Sequence, residues 1–220
     1  MGNEWSAAEQ AGEGGAPDTV TESYSERAGE YIAQLGSMAA VHPSDAQLVS
    51  SWTAELEGPV LDARCGPGHW TAHLAAHGVD VRGVDRVPAF ILHAREAHPG
   101  VPFSVGSLDA LDEEAGAFGG VLAWYSLIHH APDALGTALD EFARILRPGG
   151  GLLVGFFLGD KLDPFDHAVT TAYRWPADRM AQELEAAGFE VIETHTRTGA
   201  ASKPRPHGAI LTRRRSSTLL

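Results

Sequence analysis

The chain has one cysteine, Cys65, in 220 residues. That excludes an internal disulfide and leaves no thiolate framework for a structural metal. Positive charge is also scarce: 16 Lys and Arg against 29 Asp and Glu give a formal net charge of −13. Such a balance opposes approach to nucleic-acid phosphates. The one basic cluster, Arg213-Arg214-Arg215, reads as a solvated strand terminus. No apolar run is long enough to span a bilayer and no apolar signal-peptide core is seen, so a cytoplasmic protein is expected. Met1-Gly2 with Ser6 fits an N-myristoylation pattern only formally, because the match is short. Two nucleotide fingerprints are missing. There is no G-x-x-x-x-G-K-[ST], and Thr71 stands where G-x-G-x-x-G would need its third glycine.

What is present begins at Pro59. Val60 and Leu61 are β-formers without a polar partner, as in a strand buried on both faces. Asp62 follows, then Gly66 and Gly68, then a helical stretch from Thr71 to His77 stopped by Gly78. Strand, tight glycine turn and helix together bring bare backbone amides and a helix N-terminus close to a ligand. Asp62 sits at the strand's carboxyl end, where open α/β sheets bind ligands. A second strand, Val79 to Val84, ends in Asp85. An acid about 20 residues beyond the glycines is placed to hold ribose hydroxyls.

The remaining chain alternates helices and strands. Hydrophobic content of 44% and charged content of 20% suit a globular domain with a sizeable core. Residues 1–18 are rich in Gly, Ala and Glu and read as a mobile tail. Residues 19–57 read as a helical segment. Its first helix runs from Tyr24 to Leu35 with Gly36 as the stop, and its second from Ser44, as N-cap, to Glu57. Residues 58–215 form the core and 216–220 a frayed end. Within the core, Pro88 to Ala97 is a helix, Val101 to Val105 the third strand and Gly120 to Tyr125 the fourth. Asp133 to Leu146 is an amphipathic helix, and Gly151 to Leu158 is the fifth strand. Asp160 to Trp175 shows no period and reads as a functional loop rich in aromatics and charges. Pro176 to Gly188 is a helix, and Phe189 to Thr194 and Ala209 to Thr212 are the last strands, with His207 placed to reach the site.

Asp62-x-x-x-Gly66-x-Gly68 followed by Asp85 resembles the class I, Rossmann-like S-adenosylmethionine-dependent methyltransferases. Leu127 to Asp133 resembles the family's segment after the fourth strand, and Leu146 to Val154 its turn into the fifth. The likeness runs over about residues 20–215. It implies an α/β fold with a doubly wound, seven-stranded, mostly parallel sheet, helices on both faces and an antiparallel last strand. The cofactor it implies is S-adenosylmethionine, with S-adenosylhomocysteine as product. Residues 19–57 would then fold over the site as a lid. By the same resemblance, Asp62, Ala63, Arg64, Cys65, Gly66 and Gly68 line the cofactor, together with Asp85, Arg86, Ser107, Leu108 and Tyr125. Tyr24 and Arg27 would face the methyl donor from the lid.

His129 is the candidate for chemistry, as a base or orienting group, because a histidine can take the proton released when a hydroxyl or amine is methylated. His129 and His130 are not a metal pair, since adjacent side chains diverge and no third ligand is spaced nearby. The expected acceptor is a small, partly apolar molecule, with neither nucleic acid nor membrane as a partner. One residue departs from the family pattern. Arg64 stands where relatives carry glycine, and it either pairs with the cofactor's carboxylate or crowds the site. Crowding would make the chain a methyltransferase-like binder without catalysis. An NAD-dependent reductase is disfavoured by Thr71 and by the acid preceding the turn.

Overall fold

The computed structural model describes residues 19–167, 170–198 and 206–216. The expected N-terminal tail, most of the 198–208 loop and all of the frayed end but Ser216 lie outside the described residues. In chain order the elements are α1 (Thr19–Glu26), α2 (Ala28–Leu35), a 3-10 turn (Met38–Ala40), α3 (Pro43–Ala54), β1 (Val60–Ala63) and α4 (His69–Ala76). There follow β2 (Val81–Asp85), α5 (Pro88–Ala97), β3 (Phe103–Val105), β4 (Phe118–Trp124), α6 (Leu135–Ile145) and β5 (Leu146–Leu158). The chain closes with β6 (Asp163–Asp166), β7 (Thr171–Trp175), α7 (Ala177–Ala186), β8 (Phe189–Arg197) and β9 (His207–Arg214).

The sheet order is β3-β2-β1-β4-β5, with parallel pairing throughout this half. Beyond β5, β9 pairs antiparallel over Gly151–Phe157 and β8 pairs antiparallel with β9. This is the doubly wound sheet with an antiparallel last strand. Among the described residues nine strands are present where seven were expected, because the segment 160–175 holds two of them. It forms the β6–β7 hairpin, and β7 adds to the carboxyl end of β5 at Phe157 and Leu158. Both strands are short, and Pro164 sits in the edge strand, which hides the alternation from a sequence reading. Arg174 lies over the Phe165 ring at 3.9 Å and pins the hairpin.

Period-two alternation divides the strands between two cores. Leu61, Val121, Leu152 and Val154 face Phe142 of α6 and Met180 of α7. Their neighbours Val60, Leu122 and Leu153 face Trp52 of α3 and Trp70 of α4 on the other side. Helix α6 supplies its apolar stripe through Leu135, Leu139 and Phe142, all buried. Two expectations about the leading segment are corrected. The helix expected from Tyr24 to Leu35 is two helices, because Arg27 leaves helical geometry at φ −109°, ψ 12°. The cap of α3 is His42, not Ser44: its ring accepts the Ser44 N–H at 3.2 Å, and Pro43 fills the first turn.

Candidate active site

The order of the strands reverses between β1 and β4, and the crevice outside their carboxyl ends is where such sheets take ligands. A cavity of about 380 Å³ opens there, within the roughly 300–1,000 Å³ of small-molecule sites. Its floor is the turn after β1. Three alternate positions of that turn, Arg64, Gly66 and Gly68, have φ of +59°, +54° and +86°. Two are glycines for distinct reasons. A Cβ on Gly68 would lie within 2.9 Å of Phe103 and Ala94, so that glycine lets α4 close onto the sheet. A Cβ on Gly66 would meet only Tyr31, at 4.0 Å, so that position leaves the main chain open to the cavity.

The two acids hold this turn in different ways. Asp85 accepts the Gly66 N–H at 2.9 Å on one oxygen and the Val87 N–H at 2.9 Å on the other. Burial pushes its carboxyl up, opposed by those two amides and by Arg64 and Arg86. Asp62 is buried and accepts the Thr71 hydroxyl at 2.6 Å. Burial raises its pKa to about 7, with the Thr71 bond acting against the rise. Thr71, read from the sequence as the start of a helix and as the residue that breaks a dinucleotide fingerprint, is thus the support of the motif acid. The Ser126 hydroxyl donates to the Ala63 carbonyl and ties the ends of β4 and β1 together.

Helices α1 and α2 lie over this floor, with Tyr24 and Tyr31 in the cavity lining. Tyr24 of α1 and Tyr31 of α2 pack edge-on, with Phe90 of α5 completing the cluster. Burial raises the Tyr31 pKa to about 12. The Tyr24 hydroxyl donates to His129 Nε2 at 2.9 Å, and His129 Nδ1–H donates to the Thr171 carbonyl of β7 at 2.7 Å. Both ring nitrogens are therefore engaged, and burial lowers the His129 pKa to about 4. At the far end the cavity is bounded by Trp70, Trp124, Tyr125, Phe157 and His167, with Asp45 and Arg197 at the margin.

Of the residues singled out from the sequence, Tyr24, Asp62, Arg64, Cys65, Gly66, Asp85, Arg86, Tyr125 and His129 line this one cavity. Ala63 and Gly68 are buried in the turn around it. Arg27 turns to Glu30, at 2.8 Å on the helix surface, and stands outside the lining. Ser107 faces Asp109, whose other oxygen lies 3.2 Å from His130 Nε2, and neither Ser107 nor the buried Leu108 reaches the cavity. Asp45 and Arg197 were not foreseen. They meet at 2.7 Å from α3 and β8, 152 positions apart, with no local motif to announce the contact.

A family described as "Methyltransferase domain" matches residues 60–150, the span from β1 into β5. The magnesium-protoporphyrin O-methyltransferase of Rhodobacter capsulatus is 31% identical over 156 residues, covering 61% of this chain and 69% of that protein. The malonyl-[acyl-carrier protein] O-methyltransferase of Erwinia billingiae is 30% identical over 146 residues, covering 66% of this chain and 55% of that one. Among solved structures, the 1,6-didemethyltoxoflavin-N1-methyltransferase of Burkholderia thailandensis, with bound S-adenosylhomocysteine, has a TM-score of 0.75 at 24% identity. That match covers 90% of this chain and 88% of that one. The chain belongs to the class I S-adenosylmethionine-dependent methyltransferase family. It spans about half the length of the first curated relatives it matches.

Proposed function

We propose that the protein is an S-adenosylmethionine-dependent methyltransferase that methylates a hydroxyl of a small, partly apolar molecule and releases S-adenosylhomocysteine. The observation that carries this reading is Asp85, held by Gly66 N–H across the open turn. Each of its oxygens accepts one backbone amide, which leaves acceptor positions for a ribose diol. The turn around Gly66 offers main chain to the amino-acid end of the cofactor, and Tyr31 and Phe90 offer ring faces beside it. When bound, the cofactor supplies an electrophilic methyl on a sulfonium.

The residues do the rest by position. Holding donor and acceptor in line contributes up to roughly 7–11 kcal/mol to lowering such a barrier. A general base adds about 10²–10⁴-fold, so alignment is the larger effect. The apolar rings Trp70, Trp124 and Phe157 exclude water and favour an acceptor with an apolar body. Both curated relatives described above are O-methyltransferases by name, which supports oxygen as the acceptor atom. The formal charge of −13 argues against nucleic acid as the acceptor, and among the described residues no helix is long and apolar enough to cross a membrane. We assign His129 a clamping role: with Nε2 taken by Tyr24 and Nδ1 by Thr171, it joins the lid to the β6–β7 hairpin.

A second reading keeps the fold without the reaction. Arg64 holds a left-handed backbone at φ +59° that glycine would adopt without strain, and its side chain enters the cavity. Titration calorimetry with S-adenosylhomocysteine separates the two. Micromolar binding is expected, followed by transfer of labelled methyl to hydroxylated aromatic probes such as catechol. No binding at millimolar concentration ends the enzyme reading.

A further inference from the structure

At the acceptor end of the cavity four side chains from four elements form one chain of contacts. The Tyr125 hydroxyl, on the residue just after β4, hydrogen-bonds Nδ1 of His207, the first residue of β9. His207 Nε2 lies 3.8 Å from Asp45 Oδ1 of α3. The other Asp45 oxygen accepts from Arg197 Nη2, at the end of β8, at 2.7 Å. Tyr125, Asp45 and Arg197 line the cavity, and His207 is buried behind them. The Tyr125 ring packs on Phe157 at 4.9 Å and His207 on Trp124 at 5.2 Å, so neither group is free to swing.

Backbone geometry at Tyr125 also points to function. It holds φ +57°, one of only two non-glycine residues with positive φ among those described, and the other is Arg64. A bulky residue is strained in that region, and such strain clusters at active sites. Here it turns the ring out of the strand line and toward the cavity, while the Tyr125 N–H still bonds Gly155 O at 3.0 Å. At 3.8 Å, Asp45 acts on His207 through charge rather than a direct hydrogen bond. A carboxylate beside Nε2 keeps the proton on that nitrogen, which leaves Nδ1 with a lone pair facing the Tyr125 hydroxyl.

We propose that Tyr125, His207 and Asp45 form a proton relay that takes the proton of the acceptor hydroxyl, with Tyr125 as the catalytic residue and His207, Asp45 and Arg197 positioning it. The proposal rests on the methyltransferase reading and names the chemistry of its acceptor. The acceptor oxygen forms its bond to the methyl carbon, the carbon–sulfur bond breaks and sulfur keeps the electron pair. The hydroxyl proton passes to Tyr125 Oη as the Tyr125 proton passes to His207 Nδ1. The imidazolium so formed faces ionised Asp45 and later returns its proton to solvent. Burial and three neighbouring groups set the balance at His207. Burial, Arg197 and His42 disfavour its charged form, and Asp45 favours it. Compared with His129, whose lone pair is already taken by the lid, His207 has a lone pair that leads to the cavity through one hydroxyl.

The first test needs no acceptor. Nitrogen-15 NMR of the histidines is recorded on the full chain saturated with S-adenosylhomocysteine. His207 should be protonated on Nε2, Tyr125→Phe should shift its Nδ1 resonance, and Asp45→Asn should lower its pKa. A proton on Nδ1, or a titration blind to Asp45→Asn, overturns the relay and leaves the methyltransferase reading standing. The second test is kinetic, with catechol as acceptor. Tyr125→Phe keeps the ring packing and should lower kcat by about 10²–10⁴-fold, with S-adenosylhomocysteine affinity within about twofold. Because activity needs neutral His207, kcat/KM falls at acid pH, and Asp45→Asn should move that limb to lower pH. Wild-type kcat in Tyr125→Phe overturns the proposal. If catechol is not methylated by the wild type, the NMR result decides alone. A wild type that does not bind S-adenosylhomocysteine overturns the reading underneath.

Discussion

Replacing Arg64 by glycine separates two consequences of one side chain. A left-handed conformation costs a non-glycine residue about 1–2 kcal/mol, and Arg64 holds it at φ +59°. Glycine removes that strain but loses about 0.5–1 kcal/mol through the freedom of the unfolded chain. The net expectation is a stability gain of up to about 1.5 kcal/mol. At about 2–4 °C per kcal/mol for a chain of this size, Tm should rise by up to about 6 °C.

Binding should move the other way. Arg64 lies close enough to Asp85, Tyr24 and His129 to influence the charge state of each, which places its guanidinium over the cofactor floor. If Arg64 pairs with the carboxylate of the cofactor's amino-acid end, a charge-assisted hydrogen bond of about 1.5–3 kcal/mol is lost in the variant. Calorimetry should show S-adenosylhomocysteine binding weakened by about 10–150-fold, at 1.4 kcal/mol per decade. 5′-Methylthioadenosine, which lacks the amino-acid end, should bind wild type and variant alike. Tighter S-adenosylhomocysteine binding by Arg64→Gly would refute the reasoning, because it would show that the side chain obstructs the site.

Asp62 governs a pH dependence of the ligand-free protein. Its folded pKa of about 7 lies above the unfolded value of about 3.9. Between those values the folded state holds the extra proton, so stability falls as pH rises through this window and levels off above about 7. The raised pKa corresponds to at most roughly 4 kcal/mol. Asp62→Asn should flatten that part of the denaturation-versus-pH curve, and an unchanged slope would show that Asp62 ionises normally. Thr71→Val should destabilise the fold by about 1–3 kcal/mol in urea titration by removing the hydroxyl donor to buried Asp62, which keeps only the backbone N–H of residue 71. His129→Ala removes a contact worth about 1 kcal/mol and should raise hydrogen exchange over Thr19–Glu26 about fivefold while lowering turnover. Normal exchange and turnover would make the Tyr24 contact incidental. Gly68→Ala meets both a φ of +86° and carbons within 2.9 Å, and should lower Tm by at least about 4 °C.

The difference between what the sequence discloses and what it hides follows from the range of each interaction. Asp62, Gly66, Gly68 and Asp85 lie on two consecutive strands and the turn between them. Local rules therefore suffice: an acid ends a buried strand, and glycine takes the positive φ. The hairpin at 163–175 escapes those rules. Its strands are four and five residues long, one holds a proline, and only pairing with β5 makes them strands. Arg64 is conspicuous because it breaks a pattern, and an arginine resists the left-handed conformation that it nevertheless holds at φ +59°. Tertiary pairing of the turn with β2, through Cys65 N–H to Val84 O at 3.0 Å and Gly66 N–H to Asp85, holds it there. Asp45, Tyr125, Arg197 and His207 are the extreme case. They sit on a helix and three strand ends, and no periodicity relates them. They meet because β9 runs antiparallel to β5, which brings its first residue to the end of the sheet where β4 and β8 finish. The turn after β1 is a local motif, whereas the far end of the cavity is built by topology.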